Sequence, residues 1–228
     1  MNKSKFHLIV FFTFGVSLKK WSDLGLLDRE ILIYKKMIAQ DSRVTFFTYG
    51  DEEDFEFKDK LGGIDVVPAY AFVRYNGNWF TRFLRTFLFP LTFKTLYRKA
   101  DIFKTNQMNG SWVPAMAAVL FQKPLVVRCG FEMLHNLVRE EKRLLQLLMK
   151  TILGYLVEFF AYGVAKKIVV SNSGSRRFIS RFFPFKKKIV LIGNYIDTDL
   201  FSRKKPKNKI KENSVLFIGS TGSKILEI

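Results

Sequence analysis

The chain has 228 residues, 48% of them hydrophobic and 25 of them Phe, which excludes a disordered or low-complexity polypeptide and allows a sizeable core. Its 38 Lys and Arg against 20 Asp and Glu give a formal charge of +18, so the partner class is polyanionic: nucleic acid, anionic lipid headgroups or a phosphorylated substrate. The single cysteine, Cys129, excludes an internal disulfide and a cysteine-rich metal site, and fits a reducing, cytoplasmic compartment.

Lys3 and Lys5 precede an apolar run, but no small-residue cleavage site follows. A first buried strand over residues 6–14 is therefore expected in place of a secretion signal. Short apolar runs then alternate with longer segments of helical period, the pattern of parallel strands joined by crossover helices. Further strands are expected at 44–49, 64–67, 101–105, 125–128, 167–171 and 188–192. Most are apolar along their whole length, as strands covered on both faces must be. Helices are expected at 24–39, 79–99, 111–121, 138–165 and 173–183. The longest apolar stretch, 144–165, is interrupted by Lys150 and Glu158, both costly at a bilayer centre, and is expected to pack within the protein. The layout is α/β: a doubly wound, Rossmann-like parallel sheet.

Residues 202–213 lose apolar character and become Lys-rich with one Pro, a composition suited to a solvated linker after a first domain at 1–201. Ser214-Val215-Leu216-Phe217-Ile218-Gly219 then reads as the opening strand of a second α/β unit. A lone strand has no sheet to join, so residues 214–228 are expected to be the start of a truncated second domain.

Ligands of open α/β sheets bind beyond the carboxyl ends of the strands. The first such end carries Gly15, Ser17 and Lys19 ahead of a helix bearing Arg29 and Glu30. A glycine and a helix start suit a phosphate, and a turn glycine with surface lysines is the plain alternative. The spacing is not that of a dinucleotide fingerprint. The fourth strand ends in Asn106 and Gln107, amides that donate and accept as sugar hydroxyls require, before Ser111 as a helix cap. The fifth ends in Arg128-Cys129-Gly130, followed by Glu132. Arg128 suits a phosphate and Glu132 a base or a sugar hydroxyl, with an Arg128–Glu132 ion pair as the structural alternative. His7 is expected in the core, and His135 has no partner at metal-ligand spacing beyond Glu132. Cys129 is expected to be buried as a small hydrophobe.

Trp79, Phe80, Phe83, Leu84, Phe87, Leu88, Leu91 and Leu96 recur at helical intervals with Arg82, Arg85, Lys94 and Arg98 between them. Such a helix either lies on an anionic membrane, with Pro90 kinking it, or turns an apolar stripe to the core. A basic band of fourteen Lys or Arg between Lys166 and Lys211 adds to the charge. No nucleic-acid-binding motif accompanies it, so nucleic acid is not the expected partner.

The segment Ile192-Gly193-Asn194-Tyr195-Ile196-Asp197-Thr198-Asp199-Leu200-Phe201 resembles the Pro-Asn-Gly-Val-Asp-x-x-x-Phe segment that closes the amino-terminal domain of family 4 glycosyltransferases of the GT-B fold. The polar linker and the strand Val215 to Gly219, similar to that family's Phe-Val-Gly opening of the donor domain, follow in the same order. Val169-Val170-Ser171-Asn172-Ser173 is similar to the segment ahead of the closing motif. Ser17 to Trp21 with Gly25, Lys104 to Gln107 and Val127 to Gly130 look like bacterial and archaeal polysaccharide-assembly members. The resemblance implies two Rossmann-like domains facing a cleft, the first holding the acceptor and the second a nucleotide sugar. It implies retention of anomeric configuration with no catalytic metal and no cofactor. It also implies Gly15, Ser17 and Lys19 on the donor-phosphate side and Asn106, Gln107, Arg128 and Glu132 on the acceptor side. Two departures stand out: Arg128-Cys129-Gly130 replaces a His common after the fifth strand, and Ser220-Thr221-Gly222-Ser223-Lys224 lacks the Arg expected there.

The expected function is the acceptor-side half of a retaining glycosyltransferase in cell-surface polysaccharide synthesis, inactive alone, with a glycan or lipid-linked acceptor and a donor domain from a separate chain. Its expected place is cytoplasmic, peripheral on the inner face of the membrane. The alternative is a non-catalytic module that binds a membrane surface or a lipid-phosphate acceptor.

Overall fold

Alternating Phe residues build this molecule from the middle outward, because a strand sends successive side chains to opposite faces. The computed structural model describes residues 6–73, 78–130 and 144–195. Seven strands form one sheet: β1 (His7–Phe11), β2 (Arg43–Thr48), β3 (Asp65–Pro68), β4 (Ile102–Thr105), β5 (Leu125–Cys129), β6 (Lys167–Val170) and β7 (Ile189–Leu191). Their order is β3-β2-β1-β4-β5-β6-β7, and every pairing is parallel. All seven expected strands are present. β1 is shorter than the apolar run around it, because beyond Phe12, whose N–H still donates to the Phe47 carbonyl, the backbone turns away and Phe14 N–H donates to the Asn109 carbonyl.

The helices are α1 (Leu18–Asp23), α2 (Leu27–Ile38), α3 (Ala69–Phe72), α4 (Trp79–Thr86), α5 (Phe89–Thr92), α6 (Lys94–Lys99), α7 (Trp112–Phe121), α8 (Leu144–Val164) and α9 (Ser173–Phe182), with a 3₁₀ helix at Glu52–Leu61. The expected helix at 24–39 is α2, and the separate short helix α1 precedes it. Ser17 caps α1 by accepting from the Lys20 N–H, and Gly25 at φ +65° turns the chain before α2. The expected helix at 79–99 is three. Pro90 does not kink a continuous helix; it sits in the first turn of α5, where its missing N–H is no loss. The 3₁₀ helix escapes a periodicity reading because its ten residues are mostly charged.

On one face of the sheet Phe11 meets Phe47 at 5.2 Å and Phe103 at 5.4 Å, and α5 and α6 close over them with Phe89, Phe93 and Tyr97. On the other face Phe12 stacks on Trp21 of α1 at 4.0 Å, and Phe46 meets Tyr34 of α2 at 5.1 Å. Each ring removed from water contributes about 1.5–3 kcal/mol, so the Phe-rich composition is spent on a two-faced aromatic core. α7 packs against α5, α6 and α8, and its residues Trp112 to Ala115, Ala117 and Ala118 are buried. Trp112 Nε1 donates to Thr86 Oγ1 at 2.8 Å, which ties α7 to α4.

His7 and Cys129 are buried core residues, as their positions suggest. His7 Nε2 lies 2.8 Å from Thr45 Oγ1, and burial lowers the ring's pKa. The Tyr162 hydroxyl donates to Cys129 Sγ at 3.3 Å. Among the described residues, no helix is long and apolar enough to cross a membrane. The linker at 202–213, the strand Val215 to Gly219, Glu132 and His135 lie outside the described residues.

Candidate functional site: a cleft at the carboxyl ends of β4 and β5

Parallel strands deliver the residues that follow them to one edge of the sheet, and there α2, the ends of β4, β5 and β6 and the turn after β7 enclose a cleft of about 270 Å³. β4 contributes Gln107, β5 contributes Arg128 and Gly130, and Ser171 follows β6. Arg29 and Glu30 of α2 form the opposite wall, with Asn194 and Tyr195 beyond β7.

Arg128 is fixed at three points. Its backbone N–H donates to Thr105 Oγ1 at 2.9 Å, its Nη2 donates to Asn194 Oδ1 at 3.0 Å, and its Nη1 lies 3.6 Å from Glu30 Oε2. Glu30 also accepts from Arg29 Nη2 at 2.8 Å, so one carboxylate faces two guanidinium groups and leaves the wall net positive. Among the described residues the carboxylate that pairs with Arg128 is Glu30 from α2, a contact across 98 residues of sequence. The Tyr195 hydroxyl donates to the carbonyl oxygens of Arg29 and Glu30 at 2.9 and 3.0 Å, which pins the turn after β7 to α2. Burial, then the charge of Glu30, raises the Tyr195 pKa, so the hydroxyl keeps its proton.

Gly130 N–H donates to Gln107 Oε1 at 3.0 Å. A Cβ at Gly130 would lie 2.9 Å from that oxygen, so only glycine permits the approach. Beneath Arg128, Lys104 Nζ donates to the Tyr34 hydroxyl at 2.8 Å. Burial, reinforced by Arg128 and opposed by Glu30, lowers the Lys104 pKa to about 7. A polyanion entering the cleft therefore meets two fixed cations and a third below them that titrates near neutrality.

Of the acceptor-side residues expected from sequence, the structure brings Gln107 and Arg128 together on the cleft. Asn106 does not line it: the residue is buried and its N–H donates to the Phe11 carbonyl. The donor-side residues do not line it either. Ser17 Oγ caps α1, Lys19 N–H donates to Asp54 Oδ1 at 3.2 Å, and Lys19 Nζ pairs with Glu53 at 2.6 Å. Asp54 is buried, and burial raises its pKa against hydrogen bonds from Thr48 and from the backbone of Lys19 and Leu18. Gly15 has φ +74° with nothing within 4 Å of a built Cβ, so it serves the turn. The first turn of α1 is occupied from within. Glu30, Asn194 and Tyr195 were not on the expected site, although Asn194 and Tyr195 stand in the segment that carries the family resemblance. Among the described residues, no three His, Cys, Asp or Glu side chains cluster as metal ligands would.

A family model for Glycosyltransferase Family 4 matches residues 32–200. No curated protein matches the chain in sequence. Among solved structures, it is similar to Alr3699/HepE from Anabaena, crystallised in complex with UDP-glucose, at 14% identity and a TM-score of 0.57. That alignment covers 86% of this chain and 46% of HepE. It is likewise similar to the sucrose-phosphate synthase from Thermosynechococcus elongatus, at 14% identity and a TM-score of 0.61, over 85% of this chain and 49% of the synthase. The chain spans about half the length of these solved structures. Since the family model takes in most of the sheet and the closing segment after β7, the chain belongs to glycosyltransferase family 4.

Proposed function

We propose that this chain supplies the acceptor side of a retaining glycosyltransferase that moves a sugar from a nucleotide-sugar donor to a glycan or lipid-linked acceptor in cell-surface polysaccharide synthesis. The observation that carries the reading is the cleft itself. It lies at the carboxyl edge of a family 4 sheet, with Gln107 to hydrogen-bond sugar hydroxyls and Arg128, braced by Glu30 and Asn194, to hold an anionic group. The donor sits on a second Rossmann-like unit, whose opening strand Val215 to Gly219 resembles. Positive charge and backbone N–H groups stabilise the departing diphosphate, and the reaction uses no resident metal or cofactor.

The test is turnover. The purified chain is offered UDP-glucose, the ligand of the HepE structure, with a membrane and glycan extract as acceptor, alone and mixed with a donor-domain polypeptide of the family. The expected result is no transfer by the chain alone, transfer on mixing, and a loss of about 100-fold in the Arg128→Ala variant, the scale of removing one charge-assisted contact from a reacting complex. Transfer by the chain alone, or full activity in Arg128→Ala, overturns the reading. Acceptor binding with no transfer under any donor supply identifies a non-catalytic module instead.

A further inference from the structure

From Val66 to Phe131 the sequence contains one acidic residue, Asp101, and its carboxylate accepts the backbone N–H of His7. Helices α4 to α7 are all built from that stretch, so the layer they form over one face of the sheet is aromatic and cationic. Its inner side is the Phe and Tyr core; its outer side is open. Leu84 and Phe87 are 49% and 44% exposed, Leu88 and Leu91 are 59% and 60%, and Leu120 at the end of α7 is 52%. Leu88 and Leu91 stand one turn apart, with the Leu91 N–H donating to the Leu88 carbonyl, and α5 packs on α7 so that Leu91 and Leu120 share one surface. Leu91, Leu120 and Phe121 line a shallow groove of about 420 Å³ with Lys94, Arg98 and Lys123 on it, and Arg98 lies over the Phe121 ring at 6.0 Å. Among the described residues, no carboxylate lines that groove.

Contiguous exposed apolar side chains mark an interaction surface. The charge around them selects among occupants. A second copy of this chain carries the same +18 and is repelled, whereas an anionic bilayer offers phosphates to the cations and an acyl boundary to the leucines. We propose that the surface formed by α5, α6 and the end of α7 docks on an anionic lipid bilayer, with Leu88, Leu91 and Leu120 entering the headgroup and acyl boundary and Lys94, Arg98 and Lys123 pairing with lipid phosphates. Among the described residues, the groove and the cleft share no lining residue. It moves the membrane contact expected of the aromatic segment onto a face shared by three helices. Its test needs no sugar transfer, so it stands or falls separately from the transfer reading.

The full chain is sedimented with vesicles of phosphatidylcholine alone and of phosphatidylcholine and phosphatidylglycerol in equal parts. Binding is expected only to the anionic vesicles and falls as salt rises. A cation near such a surface is worth a factor of about 5, so Lys94→Gln with Arg98→Gln weakens binding about 25-fold. Leu88→Ser with Leu91→Ser weakens it about tenfold or more without lowering the melting temperature, since both side chains are already solvent-exposed. Equal binding to both vesicle types, or unchanged binding by both double variants, overturns the proposal. So does a dimer in sedimentation velocity that the leucine variants dissociate while vesicle binding persists. Tight binding to duplex DNA that the lysine and arginine substitutions abolish and the leucine substitutions leave intact assigns the face to nucleic acid and overturns it as well.

Discussion

Replacing Lys104 by Met tests the electrostatics under the cleft. Lys104 stands on β4 with its ammonium against the Tyr34 hydroxyl, and burial first, then Arg128, lowers its pKa from 10.5 to about 7. Between pH 7 and 10.5 the unfolded chain therefore binds more protons than the folded one, so this group makes stability rise with pH through that window and contributes no slope below it. Each unit of pH inside the window is worth up to about 1.4 kcal/mol. At pH 7 the folded-state group is half titrated, so the gain from pH 7 to pH 9 is about 2 kcal/mol. Tyr34 acts in the opposite direction, because burial raises its pKa, but only above pH 10, where the unfolded phenol begins to ionise. Urea unfolding of the chain and of Lys104→Met at pH 7 and pH 9 isolates the lysine. The wild-type gain should exceed that of the variant by about 2 kcal/mol. Parallel pH dependence in the two proteins would refute a buried, neutralisable Lys104 beneath Arg128.

Gly130→Ala places a methyl group 2.9 Å from Gln107 Oε1 and 3.1 Å from its Nε2, so the amide must swing away. Because the obstacle is the end of a flexible side chain, the expected stability loss is only about 1 kcal/mol, while transfer by the reconstituted enzyme falls about tenfold. A matched set of melting curves and transfer rates separates the two effects. Trp112→Phe keeps most of the ring packing against Phe14 and Phe83 but removes the hydrogen bond to Thr86. Thr86 still donates to the Phe83 carbonyl at 2.6 Å, so the loss should be about 1–2 kcal/mol by urea unfolding, with transfer unchanged. A neutral result would show that α4 is held to α7 by ring contacts alone.

The fold was legible in the sequence because its signal is local. β1 reads as an apolar run from Leu8 to Phe11, and the burial of all of β1 shows why: helices cover both faces. Register was written in the same letters, since Phe46 and Phe47 feed opposite layers of the core from adjacent positions. Helix continuity was less legible. Apolar spacing from 79 to 99 fits one helix, yet Pro90 begins a new turn, and the aromatic stripe divides between the core, with Phe89 and Phe93, and the outer surface, with Phe87, Leu88 and Leu91. Periodicity identifies a stripe; only the packing of α5 on α7 says which part of it remains outside.

The site shows the same divide between local and long-range causes. A strand's carboxyl end is a local property, and it brings Gln107 and Arg128 to one cleft. The residues that decide what those side chains can do come from far away in sequence. Glu30 turns Arg128 from a free cation into a braced one, and Asn194 fixes its other nitrogen from 66 residues on. At α1 the remote partner acts in the opposite sense. Gly15, Ser17 and Lys19 have the composition of a phosphate loop, but the Asp54 carboxylate, 35 residues beyond Lys19, already accepts the N–H that a phosphate would need, and Glu53 holds the Lys19 ammonium. An anion arriving there would have to displace a buried carboxylate, whereas at Arg128 it would compete with the half-buried Glu30, which lies between two guanidinium groups on the cleft wall. The competition is easier at Arg128, because Glu30 can keep Arg29 while Arg128 turns to the ligand. That difference leaves the Arg128 guanidinium easier for an anion to reach than the backbone N–H groups of the α1 turn.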